Sequence, residues 1–148
     1  AQIHAEKTNC DVTYIHGEAE DLLPEKKESF DVVTCLEAIE HVPDPQQLVK
    51  TCSDLCKPGG TIVFSTINRN PKSFLFAIIG AEYILNLLPK GTHEFKKFLK
   101  PSELSNMMRN SNLEVKEIIG MSYNPLTKKY WLGKDVDVNY MIHAEKSK

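Results

Sequence analysis

Glycine is scarce in the first part of this 148-residue chain, where only Gly17 precedes Gly59. That leaves no glycine-rich turn there of the kind that lets a backbone close on a bound nucleotide. The four cysteines, Cys10, Cys35, Cys52 and Cys56, lack the spacing of a disulfide framework, so a reducing compartment is expected. Positive charge is not in excess either. A net charge of −2 and a pI near 6.2 provide no global basic field to recruit nucleic acid. No apolar run reaches the ~20 residues of a spanning helix. Neither a signal peptide nor an Arg-rich presequence is visible. Because the chain starts at Ala1 rather than Met, an upstream segment with any targeting signal is expected to lie outside it. Internal repeats and low-complexity stretches are absent too.

What is present suits one globular domain, with charged residues at 26% and apolar residues at 41%. The organising stretch is Phe30 to Val42, FDVVTCLEAIEHV. Val32, Val33, Cys35 and Leu36 read as a strand buried on both faces. The period then changes, and Glu37, Glu40 and His41 fall at i, i+3 and i+4. One helical turn would put the three side chains on one face. Placed at the carboxyl end of a parallel strand, they make a candidate metal or acid–base site. Acidic residues that merely cap a turn give the same pattern.

Around this stretch the chain reads in α/β units. Asp11 to His16 reads as a short strand, followed by an acidic loop and a polar connection from Pro24 to Ser29. Asp44, Pro45 and Gln47 carry the signature of a helix start. The apolar stripe of that helix is Leu48, Val49, Cys52, Leu55 and Cys56, and Lys57-Pro58-Gly59-Gly60 ends it. Cys52 and Cys56, at i and i+4, are either half a metal site or core; without a second Cys or His pair, core is preferred. Thr61 to Thr66 is a further buried strand. Pro101 opens a helix with Leu104, Met107 and Met108 inward, stopping at Asn110-Ser111-Asn112. Leu113 to Ile119 is a strand, Asn124-Pro125 a turn, and Val136 to Ala144 a final strand. These last strands supply an antiparallel edge.

Residues 71–100 break this rhythm as an apolar insertion. From Ser73 to Leu88 only Glu82 and Asn86 are strongly polar, while Lys72, Lys90, Lys96, Lys97 and Lys100 flank or follow, with Phe95 and Phe98 among them. Such a helix is core, a lid on a greasy pocket, or an interfacial segment whose cations and aromatics suit a lipid headgroup layer.

Taken in order, CLEAIEHVPDP, KPGG, STINRN, GAEYIL, PKGTHEFKKFLKP, YNP and VDVNYM resemble the ubiquinone-biosynthesis O-methyltransferase family, in wording closer to its mitochondrial than its bacterial members. EHV and KPGG are shared by many methyltransferases, whereas PKGTHEFKKF and VDVNYM are specific. The resemblance runs from about Val12 to His143. It implies a class I, Rossmann-like fold with strand order 3-2-1-4-5-7-6, mostly parallel, and S-adenosylmethionine as methyl donor. The substrates implied are polyprenylated catechols or quinols. A divalent cation, Mg²⁺ above all, would be held through Glu37, Glu40 and His41, with Leu36 against the donor. His41 is alternatively a general base acting without metal. Peripheral contact with the matrix side of the mitochondrial inner membrane, and with other ubiquinone-biosynthesis proteins, is also implied.

The family's first strand, its glycine-rich turn and its second strand have no counterpart in the sequence. Residues 1–148 are therefore expected to be the C-terminal part of one methyltransferase domain, with 4-5-7-6 as the remaining contiguous order and the strand at 11–16 left without its partner. A non-catalytic form that keeps membrane or partner contacts, and a methyltransferase for an unrelated catechol, are the competing expectations.

Overall fold

The computed structural model describes residues 7, 11–74, 95–124 and 127–148. Five strands form one mixed sheet: β1 (Phe30–Leu36), β2 (Cys56–Ile67), β3 (Leu113–Asn124), β4 (Lys129–Gly133) and β5 (Asn139–Lys146). Their order is β1-β2-β5-β3-β4. The expected 4-5-7-6 succession is therefore present as β1, β2, β5 and β3. β1 and β2 are parallel, while β2–β5, β5–β3 and β3–β4 are antiparallel. Helices α1 (Leu23–Lys26), α2 (Pro45–Leu55), α3 (Pro71–Ser73) and α4 (Pro101–Arg109) accompany the sheet.

Local chemistry sets the two longer helices. Asp44 Oδ1 accepts from Gln47 N at 3.0 Å and Pro45 occupies the first turn, so α2 starts where the sequence says. Val49, Cys52 and Leu55 are buried along its inner stripe. The carboxylate of Glu103 caps the start of α4, accepting from Lys100 N at 2.9 Å. Leu104 and Met108 go into the core and Met107 packs at its margin. Asn112, with φ of +59°, takes the left-handed conformation just past the helix end.

Cys35, Cys52 and Cys56 are free and buried, in agreement with the core reading. A hydrogen bond from Cys52 lowers the Cys35 thiol pKa and raises that of Cys52. Cys56 belongs to β2 rather than to the helix. Lys57 to Gly60 form a bulge within that strand, since Cys56 is level with Phe30 and Thr61 with Val32, and Gly59 takes the left-handed conformation at φ +77°.

Several expectations change. β1 is not buried on both faces: Val32 is 57% exposed, and Phe30 and Leu36 are also exposed. The physical reason is that, among the described residues, β1 pairs with β2 alone and leaves its other edge open. Asp11 to His16 forms no strand, and Val12, Tyr14 and Ile15 face solvent. An extended segment without a neighbour has nowhere to place its backbone hydrogen bonds except water.

The final strand begins at Asn139 rather than Val136, because Asn68 takes the Val136 and Val138 carbonyls before the ladder starts. β4 is an additional strand. Of the apolar insertion, residues 75–94 lie outside the described residues. Within its described part, Phe98 is buried and Phe95 rests between Phe74 and Phe98, with ring centroids at 5.4 and 5.8 Å. Phe98 is thus a core residue and not part of a lipid-facing set, whereas Lys96 and Lys97 are exposed.

Candidate functional site

The carboxyl ends of β1 and β2 lie side by side, with Leu36 level with Ser65. This end of the sheet carries the residues singled out in the sequence. Leu36 is half-exposed at the tip of β1, open to a ligand above the strand ends. Glu37 follows with φ of +50°, in the left-handed region that costs a non-glycine residue roughly 1 kcal/mol. Two bonds hold it there, Glu37 N donating to the Ser65 carbonyl and to Ser65 Oγ, each at 3.1 Å.

That backbone turn separates the two glutamates. Glu37 Oε1 accepts from Ser65 Oγ at 2.7 Å, and Oε2 lies 3.5 Å from Asn139 Nδ2. Glu40 Oε2 instead accepts from Thr66 Oγ1 at 2.7 Å. Successive residues of a strand point to opposite faces, so Ser65 and Thr66 receive the two carboxylates on opposite faces of the sheet. The expectation of one helical turn with Glu37, Glu40 and His41 on one face is corrected accordingly. Only Ile39–His41 is helical, as a single 3-10 turn, and Glu37 sits before it with the wrong sign of φ.

Glu40 is almost fully buried, and His41 Nε2 is 3.8 Å from its Oε1. That Oε1 has no hydrogen-bond partner. The His41 side chain is 51% exposed, so it can reach both Glu40 and a bound molecule. Among the described residues no group of three or more His, Cys, Asp or Glu is gathered in a form that could hold a metal. Glu40 and His41 do form a pair. The orphaned Oε1 in a buried setting fits a cation at that pair, with Glu37 displaced to the other face.

Tyr140 closes the floor. It is buried next to Thr66 in the ladder, and its hydroxyl donates to the Leu99 carbonyl at 2.9 Å. Burial first, then Glu103, Glu40 and Glu37, push its phenol pKa up, so it stays neutral. Ser65, Thr66 and Asn139 were not singled out as site residues in the sequence. The available signal was a pair of hydroxyl residues ending an apolar strand, which says nothing of a partner without the sheet.

A methyltransferase-domain family profile matches residues 4–118. A protein of Pseudomonas syringae pv. tomato named ubiquinone biosynthesis O-methyltransferase is 61% identical over 144 residues, 97% of this chain and 62% of that protein. One of the same name from Marinobacter nauticus is 58% identical over 146 residues, 97% of this chain and 61% of that protein. The chain thus spans just over three-fifths of the length of these bacterial relatives.

Among solved structures, a SAM-dependent methyltransferase from Thermotoga maritima aligns with a TM-score of 0.67 at 26% identity. That alignment covers 97% of this chain and 69% of that one. A Methanosarcina mazei protein described in the same words aligns at 0.51 and 20% identity, over 82% and 61%, a likeness of fold alone. With a family profile across most of its length and an α/β sheet that carries its acidic residues at the strand ends, this chain belongs to the methyltransferase-domain family.

Proposed function

We propose that the protein to which this chain belongs transfers the methyl group of S-adenosylmethionine to a ring hydroxyl of a polyprenylated catechol or quinol in ubiquinone biosynthesis. The observation that carries this reading is sustained identity, 54–61% over 97–99% of the chain, to relatives named ubiquinone biosynthesis O-methyltransferase. The arrangement of Glu40 and His41 at the open end of β1 and β2 is in keeping with it.

The chemistry asks for few groups. A phenol hydroxyl has an ordinary pKa near ~10 and is a poor nucleophile at neutral pH. His41, partly exposed, is placed to take the phenol proton while Glu40 beside it orients the ring. The phenolate oxygen then forms a bond to the sulfonium methyl carbon as the carbon–sulfur bond breaks, its electron pair going to sulfur. In-line placement supplies most of the rest. Alternatively a divalent cation, Mg²⁺ in this proposal, would be held by Glu40 and His41; it would then supply the Lewis acidity that favours the phenolate, and His41 as its ligand would not be the base. Leu36, exposed at the end of β1, supplies an apolar surface to the donor.

The polyprenyl tail calls for a contact with the bilayer that holds it. The reading therefore includes a peripheral place on that membrane, through residues 74–88 with Lys96 and Lys97, and proximity to other proteins of the same synthesis. Phe74 is exposed at the start of that segment. The two relatives described above are bacterial; the membrane proposed here is the one that bears the quinone, the matrix side of the mitochondrial inner membrane being the expectation from the sequence.

The test is methyl transfer by the full-length protein from labelled S-adenosylmethionine, read by mass spectrometry. A polyprenylated catechol is expected to be methylated with much higher kcat/KM than a soluble catechol. Equal rates on both would return the protein to the class of general catechol methyltransferases.

A further inference from the structure

We infer that the β3–β4 hairpin is a foot that docks on an anionic lipid surface beside the open end of the site. The placement comes from the ladder. Met121 of β3 and Ile67 of β2 are both level with Asn139 of β5, and Asn139 faces Glu37 across 3.5 Å. Beyond Met121, β3 continues through Ser122, Tyr123 and Asn124, paired only with β4. Three residues of strand add about 10 Å, so the hairpin projects past the end of the sheet that carries Glu37, Glu40 and His41.

Its surface has the composition of an interface layer. Tyr130 and Leu132 on one face of the edge strand β4, and Trp131 on the other, are each more than half exposed, Tyr130 at 68%, so the hairpin meets such a layer edge-on. Tyr123 stacks on Tyr130 with ring centroids 4.5 Å apart and planes at 30°, which fixes two amphipathic rings before anything binds. Tyr and Trp carry an apolar body and a polar tip, the form that suits the headgroup boundary.

Charge decides the occupant. From Ile118 to Lys134 there is no Asp or Glu, while Lys128, Lys129 and Lys134 are present, a local +3 in a chain of net −2. All three lysines are exposed, and no ion pair holds any of them among the described residues. The next acids, Asp135 and Asp137, are held by Lys72 at 2.8 and 3.0 Å. A second copy packed face to face would set these lysines against their own images, whereas anionic headgroups answer them. The surface is separate from residues 74–88 and does not depend on the methyl-transfer reading.

Trp131 is the only tryptophan of the chain, so its fluorescence reports this hairpin alone. The chain is titrated with phosphatidylcholine vesicles, with and without about a third phosphatidylglycerol, and with acyl-brominated versions of both. A blue shift and bromine quenching of Trp131 are expected on the anionic vesicles, with binding at least about tenfold weaker on phosphatidylcholine alone. Replacing Lys128, Lys129 and Lys134 by Gln should remove the anionic preference of the Trp131 blue shift and quenching. Tyr130→Ser with Leu132→Ser should weaken binding about tenfold or more. Vesicle binding that leaves Trp131 unshifted and unquenched would mean that lipid is reached elsewhere, and overturns the inference. So does absence of binding, or a concentration-dependent dimer that shields Trp131 without vesicles.

Discussion

Thr66 Oγ1 donates to Glu40 Oε2 at 2.7 Å where both residues are buried at the end of β2. It is the hydrogen bond that keeps one oxygen of this buried carboxylate satisfied, since Oε1 has no such partner. Thr66→Val keeps the shape and removes the donor. A buried acceptor left unmade costs about 1–3 kcal/mol, more for a charged group. The variant is expected to lose at least that much stability in urea unfolding, and Thr66→Ser is expected to recover most of it. A Thr66→Val protein as stable as the parent would mean that Glu40 is satisfied in some other way.

The opposite faces occupied by Glu37 and Glu40 separate their roles toward a cation. In the full-length protein, Glu40→Gln and His41→Ala should abolish divalent-cation binding followed by calorimetry, while donor binding stays largely intact. Glu37→Gln should have the smaller effect, because its carboxylate is engaged by Ser65 and Asn139. Activity unchanged by exhaustive chelation, in protein shown free of metal, would leave His41 as a base acting alone.

Donor affinity should be weak in the 148-residue chain by itself. Gly17 alone precedes Gly59, and among the described residues no strand runs beside the open edge of β1. A micromolar ligand has only about 8 kcal/mol of binding energy, and each buried hydrogen bond left unmade removes about 1–3 of them. Titration calorimetry with S-adenosylmethionine should show no micromolar binding. A micromolar constant would place the donor on surfaces other than a glycine-rich turn.

The Lys72 pair gives a pH and salt signature. Its hydrogen bond to Asp135 holds that carboxyl below its ordinary value of 3.8. Asp135, then Asp137, raise the Lys72 ammonium above 10.5. The carboxylate contribution is complete above the ordinary value and is lost as pH falls through the lowered one. The ammonium contribution is complete below 10.5 and is lost as pH rises through the raised one. The Tm difference between the parent and Asp135→Asn should thus be flat from about pH 5 to 9, shrink in stronger acid, and fall with added salt, as the pair is solvent-exposed. A difference that grows in acid would contradict the pairing.

Sequence alone determined the features whose causes are local. Asp44 and Pro45 start a helix through one side-chain cap and a fixed φ, and Pro101 starts another. The strand-to-turn change after Leu36 was legible for the same reason, as was the apolar run of β2. Tertiary structure decided what depends on neighbours. Val32 reads as interior, yet it is exposed because burial of a strand requires a strand or helix beside it. The hairpin strand Lys129–Gly133 has no polar–apolar alternation to announce it and exists through pairing with β3. The spacing of Glu37, Glu40 and His41 could not reveal which face each would take. That follows from the sign of φ at Glu37, which Ser65 holds in place from a strand 28 residues away.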